Sequence, residues 1–208
     1  MYYDADKPHG LKFDPFKAII APRPIGWIST LGSDGVPNLA PYSFFNGLSS
    51  KPPLLMFSSE TLKDSARNAR ESGEFAFSLA TWNLQQAMNS SSDTVAPDVN
   101  EYLSAGISMA SCRQIAAPRV AESPASMECV TLSCQELLDK DRQPCNIFLV
   151  IGQVVGVHID DKLLRNGRFD TAAAQPLARC GYRDYSCVTD VFELMRPTDG
   201  DEYDGIDR

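Results

Sequence analysis

The sequence predicts a mainly β domain: an antiparallel barrel, closed or partly closed, with a few short helices. Six or seven segments carry strand patterning, and they follow one another across short turn signals rather than across long helices, so hairpins are favoured over a doubly wound parallel sheet. The length of 208 residues fits one large domain of this kind. Hydrophobic residues at 43% and charged residues at 22% are close to globular averages, which excludes wholesale disorder.

The elements are read in chain order. Residues 1–21 form an arm, and Pro22 and Pro24 around Arg23 then impose an extended entry. A β-rich run starts at Ile25, Ser33-Asp34-Gly35 signals a turn, and residues 36–45 return as the second strand of a hairpin. A short buried strand follows at 54–58, set off by Pro52 and Pro53. Thr61 is placed to cap a helix that runs to about Ser72 before Gly73, with Asp64 completing an approximate capping box. Residues 74–79 alternate as a strand with Phe75, Phe77 and Leu79 on one face.

Short helices are expected at 84–88 and 99–105, separated by a Ser-, Asp- and Pro-rich loop over 89–98. Two long strands come next. The first, 127–138, has Val130, Leu132 and Cys134 on one face; the second, 147–159, is interrupted by Gly152 and Gly156, as a barrel bend requires. Asp160-Asp161 caps a short helix through Leu164 that Asn166-Gly167 stops, and 187–194 closes the sheet. The whole chain is expected to be one domain, with an arm at 1–12 and an acidic tail at 198–208.

Composition narrows the function. A net charge of -8 without a basic stripe argues against nucleic acid as the main partner. The opening residues contain charges and no apolar core, and the longest apolar run, 147–151, is too short to span a bilayer, so a cytoplasmic, non-membrane protein is expected. The six cysteines form no C-x-x-C pair and there are only two histidines, so no metal site is expected and the thiols are read as reduced, buried and inert.

The chemistry concentrates in Phe57-Ser-Ser-Glu-Thr-Leu-Lys-Asp-Ser65. A buried strand here enters a helix whose first N–H groups and positive dipole end suit a phosphate. Ser58, Ser59, Thr61 and Ser65 offer hydroxyls and Lys63 a point charge, while Asp64 is expected to turn to the backbone as a capping acceptor. On these residues alone, a plain capped helix with a solvated lysine remains the competing explanation.

Pro22-Arg-Pro-Ile-Gly-Trp-Ile-Ser-Thr30, Asn38-Leu-Ala-Pro-Tyr-Ser-Phe-Phe-Asn46 and Lys63-Asp-Ser65 resemble the flavin reductase-like, FMN-binding split-barrel family. The group most resembled is the reductase component of two-component flavin monooxygenases, of the nitrilotriacetate type. Gly152-Gln-Val-Val-Gly-Val-His158, Leu177-Ala-Arg-Cys-Gly-Tyr182 and Phe192-Glu-Leu-Met-Arg-Pro197 extend the likeness over residues 13–197, in the right order. Two positions depart from the family pattern: Cys180 stands where leucine is typical, and Ser65 replaces threonine with its hydroxyl kept.

The resemblance implies a Greek-key split β-barrel with FMN in a groove at a homodimer interface. Ser29 and Thr30 would flank the flavin, and Asn38, Ala40, Pro41, Tyr42 and Ser43 would run along its ring edge. Pro41 has no N–H, so Tyr42 and Ser43 would supply the backbone donors. Hydride would pass from NADH or NADPH to the flavin, and reduced flavin would serve a monooxygenase or another acceptor. An FMN-binding carrier or sensor without reductase activity is the second reading; a cysteine- or metal-dependent hydrolase lacks a nucleophile or ligand set. His158 is read two ways, as a catalytic residue lining the flavin or nicotinamide pocket or as a partner of a nearby carboxylate. Trp27, two of Tyr42, Phe44 and Phe45, and the Arg179–tyrosine group are expected to pack rather than to bind.

Overall fold

The computed structural model describes residues 1–96 and 98–194. Its centre is a seven-stranded antiparallel sheet built from β1 (Gly26–Leu31), β2 (Pro37–Tyr42), β3 (Phe45–Ser50), β4 (Pro53–Glu60), β5 (Glu74–Leu79), β6 (Ala125–Leu138) and β7 (Pro144–Ile159). Strand order is β2-β1-β5-β6-β7-β4-β3. Between β4 and β5 lies helix α1 (Asp64–Ser72), and after β5 come α2 (Gln85–Ser90) and α3 (Glu101–Ala105). No helix among the described residues is long and apolar enough to cross a membrane.

The sheet buries side chains on both faces of β1, as its nearly continuous burial shows. Ile28 joins Phe45, Phe57, Phe75, Phe77, Cys129 and Val150 around Ala66 and Ala69 of α1, so small residues let the helix lie close to the strands. Trp27 faces the other way and packs with Leu39, Met88, Tyr102, Val120 and Leu177. It is a core residue whose Nε1 donates to Ser91 Oγ at 2.8 Å. Phe45 stacks on Phe77 with ring centroids 4.9 Å apart, while Arg179 covers the Tyr185 ring at 4.4 Å.

Several elements differ from the sequence reading. The strand expected over 36–45 ends at Tyr42, and Phe45–Ser50 is a separate strand paired with Pro53–Glu60. Pro53 sits inside β4 opposite Ser50 instead of holding the strand apart. Thr61 does not cap α1: the N-cap is Lys63, without a side-chain cap bond, and Gly73 closes the helix at φ 77°. On β6, Val130 and Leu132 are exposed whereas Cys134 packs on the core. The register explains it, because Thr131 pairs with Gly152 and Ser133 with Ile151, leaving Leu132 as an extra residue that resets the alternation.

Residues 161–163 make only one 3₁₀ turn, and Asn166-Gly167 turns a two-stranded hairpin between Leu164–Arg165 and Arg168–Phe169. The closing strand is Tyr185–Cys187, shorter than the expected 187–194, in a three-stranded sheet with Arg23–Pro24 and Leu177–Arg179. Of the cysteines only Cys129 is buried, and Cys145 is exposed in the β6–β7 hairpin. The arm packs at 13–18, where Phe13 meets Tyr182 with centroids 5.7 Å apart. The expected acidic tail, 198–208, lies outside the described residues.

Candidate functional site

Helix α1 begins just after β4 ends and packs against β1 and β2, which brings β2 and the entry to α1 together although Asn38 and Ser65 are 27 positions apart. A cavity of about 340 Å³ opens there, lined by Asn38, Ala40, Pro41 and Tyr42 on one side and Thr61, Lys63, Asp64 and Ser65 on another. Asn38 Nδ2 donates to Ser65 Oγ at 2.8 Å and so ties the strand to the first turn of the helix. These eight residues come from the two segments singled out in the sequence, Asn38–Ser43 and Ser58–Ser65.

The polar groups of the cavity are poised rather than satisfied. Lys63 is exposed and forms no ion pair among the described residues, and no side chain caps the helix start. Asp64 is not a capping acceptor: its carboxylate pairs with Arg67 one turn on, which neutralises it locally. Thr61 holds φ 63°, a left-handed conformation that a β-branched residue rarely adopts, and its N–H donates to Asn146 O at 2.8 Å. Burial raises the Tyr42 phenol above its ordinary value, partly offset by the hydroxyls of Ser65 and Ser59 set against it. Ser59 Oγ is fully buried and completes no hydrogen bond of its own, an orphan next to the cavity. A free ammonium, uncapped helix amides and the Thr61 and Ser65 hydroxyls line the cavity as a donor set that fits a phosphate-bearing ligand, while Ser59 lies buried behind that lining.

The other expected residues lie elsewhere. Ser29 is buried on β1, where its Oγ accepts from Tyr102 OH at 2.9 Å, and Thr30 Oγ1 accepts from Asn68 Nδ2 at 3.2 Å under α1. Neither lines the cavity. Ser43 and Ser58 are half-buried and also outside it, Ser58 donating its N–H to Phe44 O at 2.9 Å.

His158 belongs to a different cavity, of about 630 Å³, which shares no lining residue with the first. Its Nε2 lies 2.5 Å from Glu128 Oε1, so the carboxylate partnership is present. Glu128 is 1% exposed; burial would raise its carboxyl, but the N–H groups of Arg113 and Gln114, together with His158, outweigh that and hold it below the usual range. Cys112, Glu128 and His158 bring their ligand-type atoms within 4.8 Å of one another, a grouping that sequence spacing does not reveal. The geometry favours a structural hydrogen-bonded pair over a metal centre, because Glu128 is already engaged by two amides and burial pushes the Cys112 thiol up to about 12.

Sequence reasoning missed part of the wall. Residues 91–95 and Glu101 also line the first cavity. The density of hydroxyls in Ser90-Ser-Ser-Asp-Thr94 was the available signal, although it reads equally as a loop. Glu101 carried none, since an acid in the first turn of a helix ordinarily just complements the dipole.

Residues 20–177 match the family model described as "Flavin reductase like domain". An uncharacterized protein of Halalkalibacterium halodurans is 35% identical over 184 residues, covering 86% of this chain and 88% of that protein. Nitrilotriacetate monooxygenase component B from Bacillus cereus superposes with a TM-score of 0.86 at 28% identity, over 93% of this chain and 98% of that one. A Shewanella frigidimarina protein with a split barrel domain superposes with a TM-score of 0.78 at 20% identity, over 87% and 89% of the two chains, a likeness of fold alone.

Proposed function

The chain belongs to the flavin reductase-like domain family, and on that premise we propose that it is an FMN-dependent oxidoreductase that draws electrons from NADH or NADPH. The observation that carries this reading is the convergence of Asn38–Tyr42 and Thr61–Ser65 on one cavity, beside the unpartnered Ser59 hydroxyl. Bound FMN supplies the ring that accepts hydride. Lys63, Thr61, Ser65 and the α1 amides hold its phosphate, with Ser92 and Thr94 closing the wall. Tyr42 stays a neutral phenol at working pH and donates from the edge of β2.

We read the working form as a cytoplasmic homodimer that passes reduced flavin to a monooxygenase or another acceptor. Val130, Leu132, Val155, Val157 and Ile159 are all exposed on the paired strands β6 and β7, an apolar strip suited to a second copy. His158 enters the mechanism only through that second copy, because within one chain its cavity is separate from the one that holds Lys63. Ser29, Thr30, Ser43 and Ser58 then support the site from behind rather than touch the ligand.

The test is an absorbance spectrum of the purified chain, followed by anaerobic titration with each nicotinamide. Prompt bleaching of the flavin band is expected with at least one donor. A stable band that neither donor bleaches makes the protein a carrier or sensor, and failure to bind FMN at micromolar concentration refutes the reading altogether.

A further inference from the structure

A buried carboxylate stands in the wall of the cavity that Lys63 lines. Glu101 is 7% exposed, its Oε2 accepts from Leu39 N at 3.0 Å, and it forms no ion pair among the described residues. The elements around it offer no compensation, since neither β2 nor α2 contains a charged residue. The other charged groups of the cavity are Lys63, Asp93 and Asp64, the last already paired with Arg67; the phenols of Tyr42 and Tyr102 are its titratable neighbours. Burial raises the Glu101 carboxyl, the Leu39 N–H pulls it back, and Asp64 pushes it further up.

A carboxylate and a phosphate dianion in one small cavity repel, and a single proton between them removes the conflict. A phosphate monoester can carry that proton because its second ionisation lies at about pH 6. A phosphate capped on both sides, or a sulfate ester, brings no such proton of its own, so Glu101 alone must take it up from solvent.

We propose that Glu101 is the specificity-determining acceptor of this cavity: it shares a proton with the terminal phosphate of the flavin nucleotide, so the site selects a phosphate monoester over capped and sulfated analogues. The inference rests on the flavin reading above. It sets FMN apart from FAD, in which AMP caps that phosphate, and from riboflavin 5′-sulfate.

The experiment is fluorescence titration of the full chain with FMN, FAD and riboflavin 5′-sulfate across neutral to mildly alkaline pH. FMN is expected to bind the wild type at least about 30-fold more tightly than either analogue at about pH 6.5, and to lose at least about tenfold in affinity by about pH 8.5 as the shared proton leaves. The analogues carry less charge at that position and bring no proton of their own, so their slope should be shallower than that of FMN. Glu101→Gln keeps an acceptor for Leu39 N and offers an N–H to the dianion, so it should flatten the FMN profile and bind FMN roughly tenfold more tightly than wild type at about pH 8.5. A wild type that binds the sulfate ester as well as FMN, or that binds FMN equally across the range, overturns the proposal without any variant. So does a Glu101→Gln chain that keeps the wild-type slope. A wild type that binds no flavin at all overturns the flavin site itself as well.

Discussion

Lys63→Ala tests the proposed phosphate end of the cavity. Lys63 is exposed and unpaired among the described residues, so its removal breaks no contact that holds the fold. A charge-assisted hydrogen bond contributes about 1.5–3 kcal/mol, and an ammonium open to solvent belongs at the lower end because salt screens it. FMN affinity should therefore fall by about 1.5–2 kcal/mol, roughly 10–30-fold. Adding Ser59→Ala removes the buried hydroxyl that has no partner in the free protein, for about 1 kcal/mol more, roughly fivefold. Flavin fluorescence titration with FMN and with riboflavin, at low and high salt, separates the phosphate from the ring. Riboflavin affinity should be nearly unchanged, the FMN deficit should shrink at high salt, and the stability of Lys63→Ala should stay within about 0.5 kcal/mol of wild type. Undiminished FMN binding by the double variant, or an equal loss for riboflavin, refutes the reasoning.

Three further outcomes are expected. A Cβ at Gly152 would stand 2.4 Å from Cε1 of the fully buried Phe75 ring, so Gly152→Ala should cost about 1–3 kcal/mol in urea unfolding; a neutral result would mean that β7 is free to shift away from the core. Glu128 has a depressed carboxyl pKa in the folded state, so its stabilisation is present above the unfolded value of about 4.3 and is lost as pH falls through the folded value. Glu128→Gln should thus lower the melting temperature at neutral pH by about 4–8 °C for a loss of about 2 kcal/mol, with the gap closing toward about pH 3; a pH-independent gap would show that packing, not charge, is at work. Val157→Glu places a charge on the exposed strip of β6 and β7, and sedimentation should report a dimer for the wild type and a monomer for the variant; equal sedimentation of the two would refute the proposed interface.

Strands rich in β-forming residues are legible in the amino-acid sequence itself. β5 and the long β6–β7 hairpin come close to their expected bounds, because runs of β-branched, aromatic and aliphatic residues bounded by turn signals mark where a strand starts and stops. β3 is not legible in this way: its polar Asn-Gly-Leu-Ser-Ser stretch is exposed and carries no apolar face to read. The three-stranded sheet is hidden for another reason, since strands of two or three residues have no period at all. The bulge at Leu132 also lies beyond sequence, as only pairing with β7 reveals the extra residue.

The site divides along the same line. Local chemistry is enough to mark Ser58–Ser65 as a candidate anion site, because helix starts and hydroxyl clusters are properties of a few neighbouring residues, whereas Asn38–Ser43 is legible only through its resemblance to a family motif. What brings Asn38 to Ser65, turns Glu101 inward beneath Leu39 N and removes His158 to a separate cavity is contact between residues 27 to 62 positions apart in the first two cases, and sheet order in the third. Such contacts follow from how the sheet closes and where each side chain is buried, which depends on the packing of the whole chain and not on any local spacing.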